Sequence, residues 1–232
     1  MLEEFLYPDQ LLPEELDELL GAGWFRVQQA VFTTHFIFEG AQLLPVFWLR
    51  YPLQQMNLSR SARKLARTAC AFDISVRSGA CTAEQEKLYQ LYRASLPFPV
   101  SPSLADLLQG DRTVNVFHTK HIEIRLAGKL IASGIYDEGN HSIAGIVNFF
   151  DPAFRKFSMG KLLMILKLHQ AGELNKQYYY PGYISTATNK FDYKLFLDPL
   201  HAEVYIPLME QWVPYPEAVQ RQLMRIVWRK RG

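Results

Sequence analysis

Apolar positions along this chain recur with two periods, and the changes of period mark its elements. In residues 13–20 (PEELDELL), Leu16, Leu19 and Leu20 make one helical stripe behind Pro13, with Glu14 and Glu15 at the positive helix end. Gly21 and Gly23 stop that helix. Two β-like runs follow, residues 30–38 and 43–51, rich in Val, Phe, Ile and Trp and parted by Glu39 and Gly40. Residues 58–71 read as a helix or an extended basic arm, opened by Asn57 or Ser59. Another helix starts at Thr82, where Thr82 and Gln85 form a capping box ahead of Leu88, Leu91 and Tyr92.

Residues 96–110 break the pattern. LPFPVSPSL holds three prolines in nine residues, which no regular helix tolerates. This stretch is read as the connection between two parts, residues 1–95 and 96–232. The second part is regular. Strand regions at 114–126, 129–136 and 141–150 are joined by Gly128 and by the turn DEGN at 137–140. Ser158 then caps a long helix to about Leu174, with Leu162, Leu163, Leu166 and Gln170 at helical spacing. Residues 177–184 are a fourth strand and 202–207 a short fifth, and the chain from Glu217 into its tail reads as helical. Hairpin-linked strands followed by a helix and a strand predict a mixed α/β fold rather than alternating βαβ units. The order matches the middle of a GNAT-like acyltransferase domain, which names a fold and not a substrate.

Composition narrows the class. With 49% hydrophobic and 13% aromatic residues and a net charge of +2, a chain of 232 residues is not disordered and can bury a core without disulfides. Two cysteines, Cys70 and Cys81, cannot cage a metal by themselves, and a reduced, cytoplasmic protein is the simpler reading. The acidic start MLEEFLYPDQ does not resemble a signal peptide, and no apolar run approaches the ~20 residues of a membrane span. Charge is unevenly spread. Residues 1–20 hold Glu3, Glu4, Asp9, Glu14, Glu15, Asp17 and Glu18 but no Lys or Arg. Arg60, Arg63, Lys64 and Arg67 cluster, and the tail carries Arg221, Arg225, Arg229, Lys230 and Arg231. Such patches are solvated helix faces or contacts for a phosphate backbone.

Several chemistries are missing from the sequence: there is no nucleophile elbow, P-loop or zinc-binding H-E-x-x-H. His118 and His121, three apart in a strand region, fall on opposite faces, so they are expected to face solvent and not to share a metal. In RKFSMGKL (155–162), between strand and helix, only Gly160 stands where GNAT enzymes place a glycine-rich loop for the pyrophosphate of coenzyme A. An anion or polar ligand suits this helix start better than a whole coenzyme. The densest constellation is YYYPGYISTATNKFDYKLFLDP (178–199). Alternation sends Tyr178 and Tyr180 to one face and Tyr179 to the other. Half of these tyrosines read as core; the others could stack on a base or hydrogen-bond a reacting carbonyl, and Lys190 and Lys194 suit phosphate.

FFDPAFRKFSMGKLL (149–163), YYYPGYI (178–184) and NKFDYKLFLDP (189–199) closely resemble the C-terminal domain of the arginyl-tRNA–protein transferase family, which includes bacterial leucyl-transferring relatives. LLGAGWFR (19–26) and NLSRSARKLART (57–68), with Ser59, Arg60, Ser61, Arg63 and Lys64 in order, resemble its upstream motifs, so the likeness spans about residues 16–199. One departure is plain. Where the family carries a cysteine cluster, THFIFEGAQLLPVFWLRY (34–51) has none, so no metal or iron–sulfur cluster is carried over and no cofactor is expected.

The resemblance implies transfer of an amino acid, arginine or leucine, from charged tRNA to the α-amine of a protein N-terminus, an N-degron type of modification. The amine attacks the aminoacyl ester directly, so the enzyme supplies proximity, an oxyanion partner and a proton route. On that likeness Asp151, Tyr180 and Tyr183 are the catalytic candidates, with Asp151 orienting the amine or moving its proton. Ser158, Gly160, Tyr178, Lys190, Tyr193 and Lys194 would hold the aminoacyl-adenosine end, and Arg60, Arg63 and Lys64 the tRNA phosphates. A coenzyme A-dependent GNAT-like N-acyltransferase and a non-catalytic tRNA- or protein-binding relative are the alternatives.

Overall fold

The hairpins expected in residues 129–150 form the middle of a nine-stranded sheet. The structure is a computed structural model that describes residues 3–221, so the basic tail with Arg225, Arg229, Lys230 and Arg231 lies outside the described residues. In chain order the elements are β1 (Glu3–Leu6), α1 (Pro13–Gly21), β2 (Phe25–Val27), β3 (Ala30–Thr34), β4 (Phe36–Glu39), β5 (Gln42–Pro52), α2 (Arg60–Ala66), β6 (Asp73–Ser78), α3 (Ala83–Ala94), α4 (Leu104–Gln109), β7 (Thr119–Leu126), β8 (Lys129–Glu138), β9 (Ser142–Phe150), α5 (Met159–Glu173), β10 (Tyr178–Ser185), β11 (Glu203–Ile206), β12 (Gln211–Pro214) and α6 (Tyr215–Gln220). The large sheet runs β12-β11-β5-β10-β9-β8-β7-β6 with β4 beside β5, and β1, β3 and β2 form a smaller sheet. One pair in the large sheet is parallel: β10 lies alongside β9 after the crossover through α5. Strands from both sides of residue 95 share this sheet, since β5 is hydrogen-bonded to β10 and β11 and β6 to β7. Among the described residues, no helix is long and apolar enough to cross a membrane.

Alternation along the strands divides the side chains between two faces. On β5, Phe47, Leu49 and Tyr51 enter the core that also contains α5, Ala62 of α2 and Ala218 of α6, whereas Trp48 enters the core that contains Leu16 and Leu20 of α1. On β10, Tyr179 and Ile184 go to the first core, and Tyr178, Tyr180 and Tyr183 to the second, which matches the predicted alternation of the tyrosines. A third cluster, with Leu88 and Tyr89 of α3 and Leu104 and Leu108 of α4, packs on Ile135 and Phe149 and shares Ile146 with the α1 core.

Local signals are met at several places. Ser59 caps α2, accepting from the Ala62 N–H at 3.1 Å, and its hydroxyl donates to the Phe196 carbonyl at 2.7 Å. Thr82 and Gln85 form the capping box of α3. Other expectations change. Ser158 makes no cap bond and sits in the left-handed region at φ 53°; Asp151 instead caps the 3-10 turn Pro152–Phe157 through the Ala153 N–H at 3.0 Å. The single stripe expected on the long helix is replaced by burial on several sides, with Leu162, Leu163, Met164 and Ile165 buried in succession, because α5 touches both the sheet and α2. The strand region at 114–126 starts only at Thr119, since the Gln29 side chain takes the Val116 N–H at 2.7 Å and Phe117 joins the α1 core. His118 is exposed, but His121, expected to face solvent, is 1% exposed beneath α3. No signal was read for β1, β6 or β12.

Candidate active site

The parallel pair β9–β10 lasts only from Tyr178 to Tyr180, opposite Ser142 to Ala144. Pro181 has no N–H to continue the ladder, and Gly182, at φ 102°, takes a backbone shape that other residues rarely adopt. A register shift between Tyr179 and Gly182 then carries β10 along β5 and away from β9. On the other lip, a shift at Ile135/Tyr136 leaves Ile146 of β9 as an extra residue. A cleft of about 750 Å³ opens where the two strands part.

Two buried lysines line it. Lys167 of α5 donates to the carbonyls of Ile135 (2.7 Å) and Val147 (3.1 Å), register partners beside the β9 irregularity, so its buried ammonium has two acceptors. Burial pushes Lys167 down to about 7, against the pull of nearby Asp137. Lys194, in the 3-10 turn Asp192–Phe196, donates to the Tyr183 carbonyl at 2.7 Å and lies over the rings of Tyr183 (4.7 Å), Phe191 (5.2 Å) and Tyr193 (6.0 Å). Burial alone pushes it down to about 7. An aromatic wall runs on from there: Tyr183 meets Trp48 edge-on at 5.5 Å, and Trp48 stacks on Phe25 at 4.9 Å and meets Phe32 at 5.5 Å.

The charge of the lining is one-sided. Among the described residues, Arg26, Arg155, Lys161, Lys167, Lys190 and Lys194 contribute to it, and no Asp or Glu does. Asp137 holds Arg26 at 2.8 Å and Glu39 holds Lys190 at 3.0 Å. The other four have no carboxylate within ion-pair distance among the described residues. Two buried polar atoms of lining residues, the Trp48 indole N–H and the Asn148 side-chain oxygen, have no partner among the described residues. No group of three or more potential metal ligands occurs among the described residues.

The cleft brings together Ser158, Gly160, Tyr183, Lys190, Tyr193 and Lys194 of the residues expected from sequence. Tyr178 and Tyr180 lie elsewhere: Arg50 covers the Tyr178 ring at 4.3 Å, and Tyr180 meets Trp212 at 5.6 Å. Asp151 also lies outside the lining. Its oxygens are taken by Lys129 (2.8 Å) and the Ala153 N–H, and the Lys129 contact holds its carboxyl below the usual range. Arg60, Arg63 and Lys64 are exposed on α2, as is the following Arg67. Beside them, the Phe72–Phe157 contact (5.6 Å) draws in the turn that carries Arg155 and Lys156. Arg26, Trp48, Asn148, Arg155 and Lys167 are lining residues that sequence reading did not single out. Only Lys167 had a signal, a lone cation inside the run LLMILKLH.

A three-strand meander, a crossover helix and a strand that parts from its parallel neighbour define a GNAT-like acyltransferase fold. Residues 75–203 match the family model described as arginine-tRNA-protein transferase, C terminus, and the chain belongs to that family of aminoacyltransferases. It is 25% identical over 218 residues to an aspartate/glutamate leucyltransferase of Leptospira interrogans, covering 91% of this chain and 83% of that one. It is 29% identical over 168 residues to arginyl-tRNA–protein transferase 1 of Arabidopsis thaliana, covering 63% of this chain and 26% of that one. Among solved structures, the C-terminal domain of a putative lysylphosphatidylglycerol synthetase from Agrobacterium fabrum overlays with a TM-score of 0.49 at 12% identity, over 66% of this chain and 52% of that one.

Proposed function

We propose that the protein moves leucine, rather than arginine, from its charged tRNA to protein N-termini that begin with aspartate or glutamate. The observation that carries this is the lining of the cleft, which among the described residues has six cationic residues and no carboxylate. An arginyl side chain would enter it without a partner, whereas Phe25, Phe32, Trp48 and Ile146 offer a leucyl side chain an apolar wall. Cations suit the phosphates of a tRNA 3′ end and an acidic first residue of the acceptor. The name of the Leptospira relative supports the same pairing. The reaction belongs in the cytoplasm, where charged tRNA is found.

In this reading Ser158, Gly160, Arg155 and Lys161 hold the terminal nucleotide, and Tyr193 stacks beside it. Tyr183 borders the aminoacyl ester. Asp151 and Tyr180 act at a distance: Asp151 anchors the turn that presents Arg155, and Tyr180 supports β10 from the core it shares with Trp48 and Tyr183. The test is transfer from leucyl- and arginyl-tRNA to peptides differing only in their first residue. Leucine should go to Asp and Glu peptides at least about 10²-fold faster than arginine, since an unpaired buried charge costs several kcal/mol. Equal or faster arginine transfer would sink the assignment.

In the same reading the tRNA body runs along α2. Arg60, Lys64 and Arg67 follow one another at helical spacing, and no carboxylate pairs with them among the described residues. In an Arg60→Ala/Lys64→Ala variant, the slope of log binding constant against log salt should shrink by about 2, roughly one for each phosphate that no longer meets a cation. An unchanged slope would put the tRNA on another face.

A further inference from the structure

We propose that Lys194 is the base that takes a proton from the attacking α-amine, an inference that rests on the transfer reaction proposed above. Its place is at the fork of the cleft. The Lys194 ammonium nitrogen lies so close to β10 that a side-chain carbon added at Gly182 would stand 3.0 Å from it. Glycine at 182 therefore does two things: it allows the turn that opens the fork and leaves room for the amine at its apex.

The lining holds no other group equipped for the task. Among the described residues it contains no histidine and no carboxylate. Arg26 and Arg155 carry guanidinium groups, which do not give up their protons. Lys167 is engaged by two carbonyls, and Lys190 by Glu39. Lys161 lies over the Phe196 ring at 5.1 Å, away from the fork. Tyr92, Tyr179, Tyr183 and Tyr193 are all pushed up by burial and keep their protons. Lys194 is different: it is 9% exposed, it has one carbonyl partner, and it stands near neutrality between its two forms. The ionisable groups on the elements around it are Tyr179 and Tyr183 on β10, Asp192 and Tyr193 on its own turn, Lys190 before it, Lys161 and Lys167 on α5, Tyr92 on α3 and Tyr51 on β5. None of them forms an ion pair with it among the described residues.

The step balances. The acceptor ammonium gives one proton to neutral Lys194, and the freed lone pair attacks the ester carbonyl carbon to form the C–N bond. The tetrahedral adduct loses its second N–H proton to water. As the bond from carbonyl carbon to ribose oxygen breaks, that oxygen takes the proton held by Lys194. One ammonium and one ester become one amide, one ribose hydroxyl and one released proton, and Lys194 returns to its starting form.

The experiment uses the full chain with leucyl-tRNA, comparing wild type, Lys194→Gln and Lys194→Arg between pH 5.5 and about 9. In wild type, kcat should rise with pH through about 7. Both variants should lose about 10²-fold or more in kcat, and the rise near 7 with it, while KM for leucyl-tRNA in Lys194→Arg stays within about threefold. Hydroxylamine, an acceptor already unprotonated at pH 7, needs no base, so the loss in both variants should shrink to about tenfold or less. This second measurement separates a lost base from a damaged fold, which would slow both acceptors alike. A variant that keeps the wild-type kcat and pH profile, one that raises only KM, or one equally slow with hydroxylamine overturns the inference. A wild-type protein inert toward every charged tRNA overturns the functional reading, and this inference with it.

Discussion

Replacing Arg26 with alanine is expected to cost about 3–5 kcal/mol of folding stability, although Arg26 lies in a three-residue strand near the start of the chain. Its guanidinium donates to Asp137 at 2.8 Å, to Thr119 at 2.9 Å, to the Leu108 carbonyl at 2.8 Å and to the Gln28 carbonyl at 2.6 Å, and it lies 4.3 Å over the Phe117 ring. One side chain thus ties β2 to α4, β7 and β8. The cost comes from what is left behind. Asp137 is 0% exposed, and one of its oxygens already lacks a partner among the described residues. Without Arg26 its charge stays buried with little more than the Thr119 hydroxyl, at 2.7 Å, for support. A loss of this size should lower Tm by about 10 °C in a chain of this length. The double variant Arg26→Met/Asp137→Leu, which removes both charges, should lose less than Arg26→Ala. A thermal or urea unfolding curve for Arg26→Ala within about 1 kcal/mol of wild type would contradict this account.

Acid should weaken the fold through His121. One ring nitrogen meets the Gly79 carbonyl at 2.9 Å and the other the Gln85 side-chain amide at 3.2 Å. A neutral ring satisfies both: Nε2–H donates to the carbonyl, and Nδ1 accepts from the amide. Protonation would turn Nδ1 into a donor facing a donor. Burial, followed by nearby Arg77, lowers the His121 pKa from its ordinary 6.5 to about 4. The sign follows: the unfolded chain binds this proton more readily than the native one. The stability His121 contributes is complete above about pH 6.5 and falls away as pH drops toward 4, by about 3 kcal/mol in all. Unfolding free energy measured from pH 7 to 4 should fall more steeply in wild type than in His121→Asn. Parallel slopes would show that this ring is not the group responsible.

These effects explain what sequence could and could not disclose. Periodicity shows β8, β9 and the tyrosines of β10 because each obeys a local rule, and the Thr82 and Ser59 caps are legible for the same reason; α5 shows as a helix, but not the sides it buries. β6 was not, since its sequence, DISVRS, is an edge strand with five exposed positions and only Arg77 partly covered. Ser158 looked like a helix cap by residue type, but the turn from Asp151 reaches α5 in a left-handed conformation that aims its hydroxyl elsewhere. The cleft was half legible: its motif residues were recognised, whereas the electrostatics were not. Lys194 reads as a phosphate contact until the structure buries it, and Asp151 reads as a group that orients or deprotonates the amine, with no sign in the sequence of the Lys129 contact that holds it. Arg26 and Asp137 are separated by 111 residues, and no local pattern links such partners.

Strand β5 carries a consequence for how the chain is made. It lies between β10 and β11, whose residues follow it by more than 125 positions. At synthesis rates of about 5–20 residues per second, LLPVFWLRYP leaves the ribosome roughly 8–30 s before its last partner strand exists. During that interval Phe47, Leu49 and Tyr51 have no sheet to enter, and closing so large a loop is slow. The strand that contributes Trp48 to the cleft is therefore also one whose apolar face waits for partners made much later in the chain.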